Sequence, residues 1–385
     1  MKRFMGFLTC MILLIILLFT APASAASVAV YTADELFTDR DMQQTADLND
    51  AVQYTVSDGQ DIRITSAGVY VLTGTASNAT VVVEAGPDDK VQLVLDGVSV
   101  TNADFPAIYI KSADKAFITV SGDSSLAVTG TFRADGGTNT DGVIFSKVDL
   151  TLNGTASLTI ASTDNGIVGK DDIKITGGTY LINASSKAVE ANDSIRVADG
   201  TLTLTAGTDG LHAENEEDTD KGYVYIGGGS LTISAGDDGV HASSVVQIDG
   251  GTLEISAAEG MEGTYIQING GVISIQSSDD GLNAARKSSA YAPTIEINDG
   301  DITIVMGGGD TDGVDANGNI IVNGGTIRVT GNSTFDYDGT AQYNGGTIIV
   351  NGQQVSSIPN QMMGGGRGGW AGNGGNSGKG GRGRW

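Results

Sequence analysis

A short phrase built on glycine followed by a β-type run recurs along most of the chain. It reads "NGTASLTI" at 153–160, "GGTYLI" at 177–182, "DGTLTL" at 199–204, "GGSLTI" at 228–233 and "GGTLEI" at 250–255. It continues as "GGVISI" at 270–275, "DGDITI" at 299–304, "GGTIRV" at 324–329 and "GGTIIV" at 345–350. Successive copies are 24, 22, 29, 22, 20, 29, 25 and 21 residues apart. Inside each copy apolar residues alternate, as in Leu202/Leu204, Leu231/Ile233, Leu253/Ile255 and Ile273/Ile275. That period gives a strand one buried and one wet face. A unit this short, with three short strands and no helical period, cannot bury its apolar face alone, whereas coils stacked in register can. The expected fold is therefore all-β, a single-stranded parallel β-helix. A leucine-rich horseshoe is excluded by the lack of a helical stretch in any unit, and a propeller by blades that need about forty residues. Roughly twelve coils at about 4.8 Å each make a rod nearly 60 Å long.

The two ends differ from this middle. Lys2 and Arg3, an apolar stretch from Met11 to Phe19 and Ala23-Ser24-Ala25 form the order of a secretory signal peptide, assigned to residues 1–25 with cleavage near Ala25. The single cysteine, Cys10, leaves with it, so the mature chain is expected to be extracellular and free of disulfides. Residues 26–78 are less periodic and are read as an N-terminal cap, residues 79–352 as the β-helix, and residues 353–385 as a C-terminal extension with a flexible Gly/Arg-rich tail. The formal charge is −25, and it becomes about −31 once Lys2, Arg3, Arg367, Lys379, Arg382 and Arg384 are set aside. A body so acidic repels nucleic acid and attracts cations. No later apolar run is long enough to span a bilayer, and a monomer is expected.

Aligned coil on coil, the acidic-glycine pairs fall at one corner: Asp141-Gly142, Asp164-Asn165-Gly166, Asp209-Gly210, Asp238-Gly239, Glu259-Gly260, Asp280-Gly281, Asp312-Gly313 and Asp338-Gly339. Two residues past the glycine runs a second row of Glu190, His212, His241, Glu262, Asn283 and Asp315. Unit charges one rung apart repel by about 0.9 kcal/mol in bulk water and by more where water is excluded. Such columns call for a counter-ion, and calcium (Ca2+), which prefers oxygen ligands, is the expected one. Candidate ligands are Asp209, Glu214, Asp237, Asp238, Glu259, Glu262, Asp279, Asp280, Asp310, Asp312 and Asp315, with Asp336 as a further acid. At any single corner an equally weighted reading is an Asp that bonds amides of its own turn beside a glycine of positive φ. His212 and His241 occupy equivalent positions on neighbouring coils. With no cysteine and no third histidine, they are read as hydrogen-bonding groups rather than as ligands of a transition metal.

Two coils carry surplus loops, "ENEEDTDKG" at 214–222 and "ARKSSAYAP" at 285–293. Three coils apart, or about 14 Å, they are expected to flank a notch. Tyr223, Tyr225 and Tyr265 should face outward around it, with Tyr291 on the second loop, as stacking surfaces for sugar rings. His212, His241, Asn283, Arg286 and Lys287 complete the candidate carbohydrate-binding set.

With these residues in view, the chain resembles a family of secreted carbohydrate-binding β-helix proteins of polysaccharide-degrading bacteria. The resemblance is carried by "FTDRDMQQTADL" (37–48), "VQLVLDGVSVTNADFPAIYIKSADK" (91–115), "DNGIVGKDDIKITGGTY" (164–180), "DGLHAENEEDTDKGYVYI" (209–226) and "TDGVDANGNIIVNGGTI" (311–327), among other strings between about residues 31 and 363. It implies a right-handed helix of the pectate-lyase type, structural calcium, and binding without catalysis to plant cell-wall polysaccharides, namely cellulose and acidic polymers such as polygalacturonate. The first alternative is a calcium-dependent polysaccharide (pectate) lyase with Lys170 or Lys187 as the base. The second is a structural surface or adhesion rod.

Overall fold

The computed structural model describes residues 30–308 and 311–360. The expected signal peptide at 1–25, Asp310 and the Gly/Arg-rich tail lie outside the described residues. Apart from the one-turn helix Ala33–Leu36, the regular elements among the described residues are strands. Twelve of them, from Ile62–Ile64 to Ser333–Tyr337, form one parallel sheet. A second face runs through Lys115–Gly122, Leu150–Gly154, Asp172–Ile175 and Ser194–Val197 to Ala341–Tyr343. The third runs through Ser124–Val128, Ser157–Ser162, Thr179–Ala184 and Thr201–Ala206 to Thr347–Val350. Each strand pairs in parallel with its counterpart one coil away, the arrangement of a solenoid.

The alternation seen in the sequence becomes columns of identical burial. Leu202, Leu231, Leu253, Ile273, Ile302 and Ile327 stand in register on the third face and are all buried. Each such side chain stabilises the fold by about 1.5–3 kcal/mol relative to an exposed one, and only the neighbouring coil makes that burial possible. The corner glycines ahead of the third-face strands take positive φ, as at Gly251 (φ 93). A side chain there would strain the backbone.

The chain turns back at Asn351 (φ 49) and Gly352 (φ 79), the dipeptide suited to a tight hairpin. Gln353–Val355 then pairs antiparallel with Thr347–Val350 and covers the last edge of the third face.

The N-terminal segment departs from the expected cap. Pairing with the solenoid already begins at Val52–Thr55, and residues 30–44 run along the outside of the second face instead of covering an end. Val30 N–H donates to Gln267 at 3.1 Å and Tyr31 N–H to Gln247 at 2.8 Å, while Gln44 reaches the carbonyl of Thr176 at 2.9 Å. Asp41 anchors this strap. It is fully buried, and its carboxylate accepts from Lys115 at 2.5 Å, Thr151 at 2.9 Å and Lys174 at 3.3 Å. Burial opposes its charge, but the bonds from Lys115 and Thr38 prevail and hold the carboxyl well below the usual range.

Candidate functional site

The twelve-stranded sheet carries the acidic columns, and its register follows the buried residue at the centre of each strand. Ile144, Ile167, Val189, Leu211, Val240, Met261, Leu282, Val314 and Phe335 stand one above another. Two residues before this anchor the first row reads Asn165, Lys187, Asp209, Asp238, Glu259, Asp280, Asp312 and Ser333. One residue after it the second row reads Glu190, His212, His241, Glu262, Asn283, Asp315 and Asp336.

Most of the expected ladder is in place, with two corrections. Asp141 and Asp164 sit one position outside the first row, three residues before their anchors Ile144 and Ile167, and Gly142 pairs with Asn165. At the far end Ser333, not Asp338, fills the first row and Asp336 falls in the second. Asp237 and Asp279 lie beside the ladder and are exposed.

The glycines of the acidic pairs serve a different purpose from the one expected. Gly210, Gly239, Gly260, Gly281 and Gly313 are absent from the positive-φ positions. A Cβ on Gly239 would stand 2.3 Å from Ile255 and 2.6 Å from the carbonyl of Gly260. The residue is therefore demanded by close approach between coils. Nor do Asp209 and Asp280 bond amides of their own turns. Asp209 Oδ1 accepts from Asp238 N–H at 3.2 Å, and Asp280 Oδ1 from Asp312 N–H at 3.0 Å, each on the next rung.

The ladder divides electrostatically. From Lys187 to Glu262 it contains its own cations. Glu190 lies 3.4 Å from Lys187 and 3.6 Å from Lys170. His241 Nδ1 stands 2.7 Å from Asp238 and 2.9 Å from Glu262, whose other oxygen receives Lys287 at 2.8 Å. His212 Nδ1 lies 2.8 Å from Asp209, close but out of line for a directed hydrogen bond. Burial disfavours a charged His241, yet Asp238 and Glu262 outweigh it and lift the imidazole to about 9. The same bonds, with Lys287, hold Glu262 below its ordinary value against the effect of burial.

From Glu259 onward the balance fails. Among the described residues no lysine or arginine pairs with Glu259, Asp280, Asp315 or Asp336. Burial, reinforced by neighbouring carboxylates, pushes Glu259 up to about 7, Asp280 to about 6 and Asp315 to about 7; only Asn283 relieves Glu259, donating at 2.9 Å. The buried Oδ1 atoms of Asn283 and Asp336 have no hydrogen-bond partner.

The expected notch and its tyrosine platform are not formed. Tyr223, Tyr225 and Tyr265 do take the outward pleat positions, but on the second face, where the strap covers them. Tyr31 stacks on Tyr223 with ring centroids 4.2 Å apart, Phe37 packs on Tyr225, and Tyr291 closes over Tyr265 at 5.6 Å. Tyr223 and Tyr225 are buried as a result. The two long loops also meet across the interval, Ser288 Oγ donating to the carbonyl of Thr219 at 3.2 Å. Arg286 remains exposed. A cleft of about 400 Å³ opens instead at the side of the ladder, lined by Lys187, Glu190, Asn192, His212, Glu214 and Asn215 among others. Lys287, expected as a carbohydrate-binding residue, instead pairs with Glu262, a contact that an irregular loop gives no periodic signal to announce.

Comparison with known proteins agrees with this architecture. A family model described as carbohydrate-binding domain-containing protein matches residues 58–308 and 261–356. A protein of the same description from Acetivibrio thermocellus is 34% identical over 146 residues, 35% of this chain and 51% of the relative, so the chain spans about half the length of that curated relative. Among solved structures, the polysaccharide lyase-like protein from C. thermocellum, determined as a gadolinium derivative, is similar with a TM-score of 0.52 and 31% identity. The similarity covers 54% of this chain and 92% of that one.

Proposed function

We propose that the chain, which belongs to the family of carbohydrate-binding domain-containing proteins, is a secreted, monomeric protein that holds calcium on the uncompensated part of its ladder and binds plant cell-wall polysaccharides there without catalysis. The observation that carries this reading is the run of Glu259, Asp280, Asp315 and Asp336, buried enough to be pushed toward neutrality or left with an unpartnered oxygen and, among the described residues, paired with no lysine or arginine. Oxygen atoms so placed fit a hard divalent ion, for which carboxylate and amide oxygens are the usual ligands. When bound, calcium supplies positive charge and open coordination positions, which suit the carboxylates of an acidic polymer such as polygalacturonate. Cellulose enters the reading through resemblance alone, since the strap covers the tyrosines that would have stacked on it.

A lyase needs a basic side chain beside the ion. Lys170 and Lys187 are both committed to Glu190, three rungs from Glu259, or about 14 Å. The decisive measurement is retention on polygalacturonate, with calcium and with chelator, for the unaltered protein and for Asp315→Asn. Retention should need calcium and should weaken in the variant. Retention indifferent to both treatments, or calorimetry showing no calcium uptake, would overturn the proposal.

A further inference from the structure

The two histidines that sequence reading set aside acquire a third partner in the fold. His212 and His241 lie on adjacent rungs with rings 4.5 Å apart and nearly parallel, at 12°. Each turns Nδ1 toward the carboxylate three residues earlier, Asp209 at 2.8 Å and Asp238 at 2.7 Å. A carboxylate beside Nδ1 favours the proton on that nitrogen, so that an ion displacing any proton from Nε2 finds its lone pair, the outer-shell arrangement common to metal-bound histidines. Because the rings are stacked and share this orientation, both Nε2 atoms emerge along the same edge. The first long loop brings Glu214 to that edge, with its Oε2 3.3 Å from His212 Nε2.

Three observations point to a ligand. His241 is 7% exposed, and its Nε2 is buried without a hydrogen-bond partner. One donor atom from each of His212, Glu214 and His241 lies within 4.8 Å of the others. Two ligands about 2.05 Å from a tetrahedral ion stand about 3.3 Å apart, the separation already present between His212 and Glu214. The cleft of about 400 Å³ opens beside His212 and Glu214 and leaves a coordination position accessible.

We propose that His212 Nε2, His241 Nε2 and Glu214 form a site for one divalent transition ion of zinc type, oriented by Asp209 and Asp238 and open to the cleft on its remaining side. Imidazole nitrogens select such an ion over calcium, which takes oxygen ligands. The site is thus distinct from the uncompensated acids further along the ladder. In the metal-free chain His241 supplies positive charge as a proton, and the bound ion takes over that role.

The test uses the full chain, stripped with chelator and then saturated with calcium, so that failure of the calcium reading does not disturb it. Calorimetric titration with Zn2+ should show one equivalent bound, and Co2+ in its place should give the visible absorption of a low-coordinate nitrogen–oxygen site. Glu214→Gln, on a partly exposed loop, should lower Zn2+ affinity at least tenfold, and Asp209→Asn by about tenfold as an outer-shell loss. His241→Asn should abolish uptake; if that variant does not fold, Glu214→Gln and the Co2+ spectrum still decide. Absence of Zn2+ uptake at saturating calcium, displacement of Zn2+ by equimolar calcium, or Zn2+ affinity unchanged in Glu214→Gln overturns the proposal.

Discussion

The ladder's two halves are built from the same repeat at the same register, and they solve the same electrostatic problem differently. Glu190, Asp209, Asp238 and Glu262 each meet a lysine or an imidazole within a few ångströms. Glu259, Asp280, Asp315 and Asp336 meet mainly other carboxylates, and burial moves three of them toward neutrality. The difference teaches that a column of like charges is a property of the repeat, whereas its neutralisation comes from departures from the repeat. Lys287 belongs to a loop, and Lys187 to the coil that breaks the acidic pattern.

The largest test of this contrast is His241→Ala. Removing the cation from a buried cluster leaves Asp238 and Glu262 facing each other, and the expected loss is about 3–5 kcal/mol at pH 7, read by urea unfolding of metal-free protein. Calcium should act on the other half alone. At a hundredfold excess over its dissociation constant it should add about 2.7 kcal/mol, measured as a rise in Tm that persists in Lys187→Ala and disappears in Asp315→Asn.

The halves should also respond to pH in different windows. A carboxylate whose folded value is raised keeps a proton that the unfolded chain has already lost, so its stabilising effect drains away as pH rises. For Glu259, Asp280 and Asp315 that loss should run from the ordinary carboxylate range, about 4, up to about 7. His241, raised to about 9, stabilises fully below its ordinary value of about 6.5 and loses that contribution as pH climbs through 9. A metal-free melting series should show two declines, with Glu259→Gln reducing only the first. The smallest effect is expected for Lys187→Ala. Its pair with Glu190 is partly solvated, and a loss of about 0.2–1 kcal/mol by chemical denaturation is anticipated.

What could be read in advance follows from how local each interaction is. Inward columns such as Leu231, Leu253 and Ile273 were legible, because each strand declares its own buried face by alternation. The acidic rows were legible wherever the dipeptide and the anchor agree, from Asp209 to Asp312. They were misplaced at Asp141, Asp164 and Asp338, where the acidic-glycine signal was followed in place of the apolar anchor; Ile144, Ile167 and Phe335 would have set these coils in register. Covering of the tyrosines was illegible. It rests on Tyr31 and Phe37 meeting strands roughly two hundred residues away, and no local pattern announces such a contact. Glu214, by contrast, stands two residues from His212 and was legible as a candidate ligand; its pairing with an imidazole was the part left unread.

The strap has a consequence for how the molecule comes apart. A stack of coils in which each touches only its neighbours can fray from either end, one unit at a time, with little cooperativity. Here a single stretch of chain is fastened at Gln267, Gln247, Asp41 and Gln44 to coils spread over half the rod. Loosening any one of those coils strains a tether shared by the rest, so a linear array acquires the all-or-none melting of a globular core.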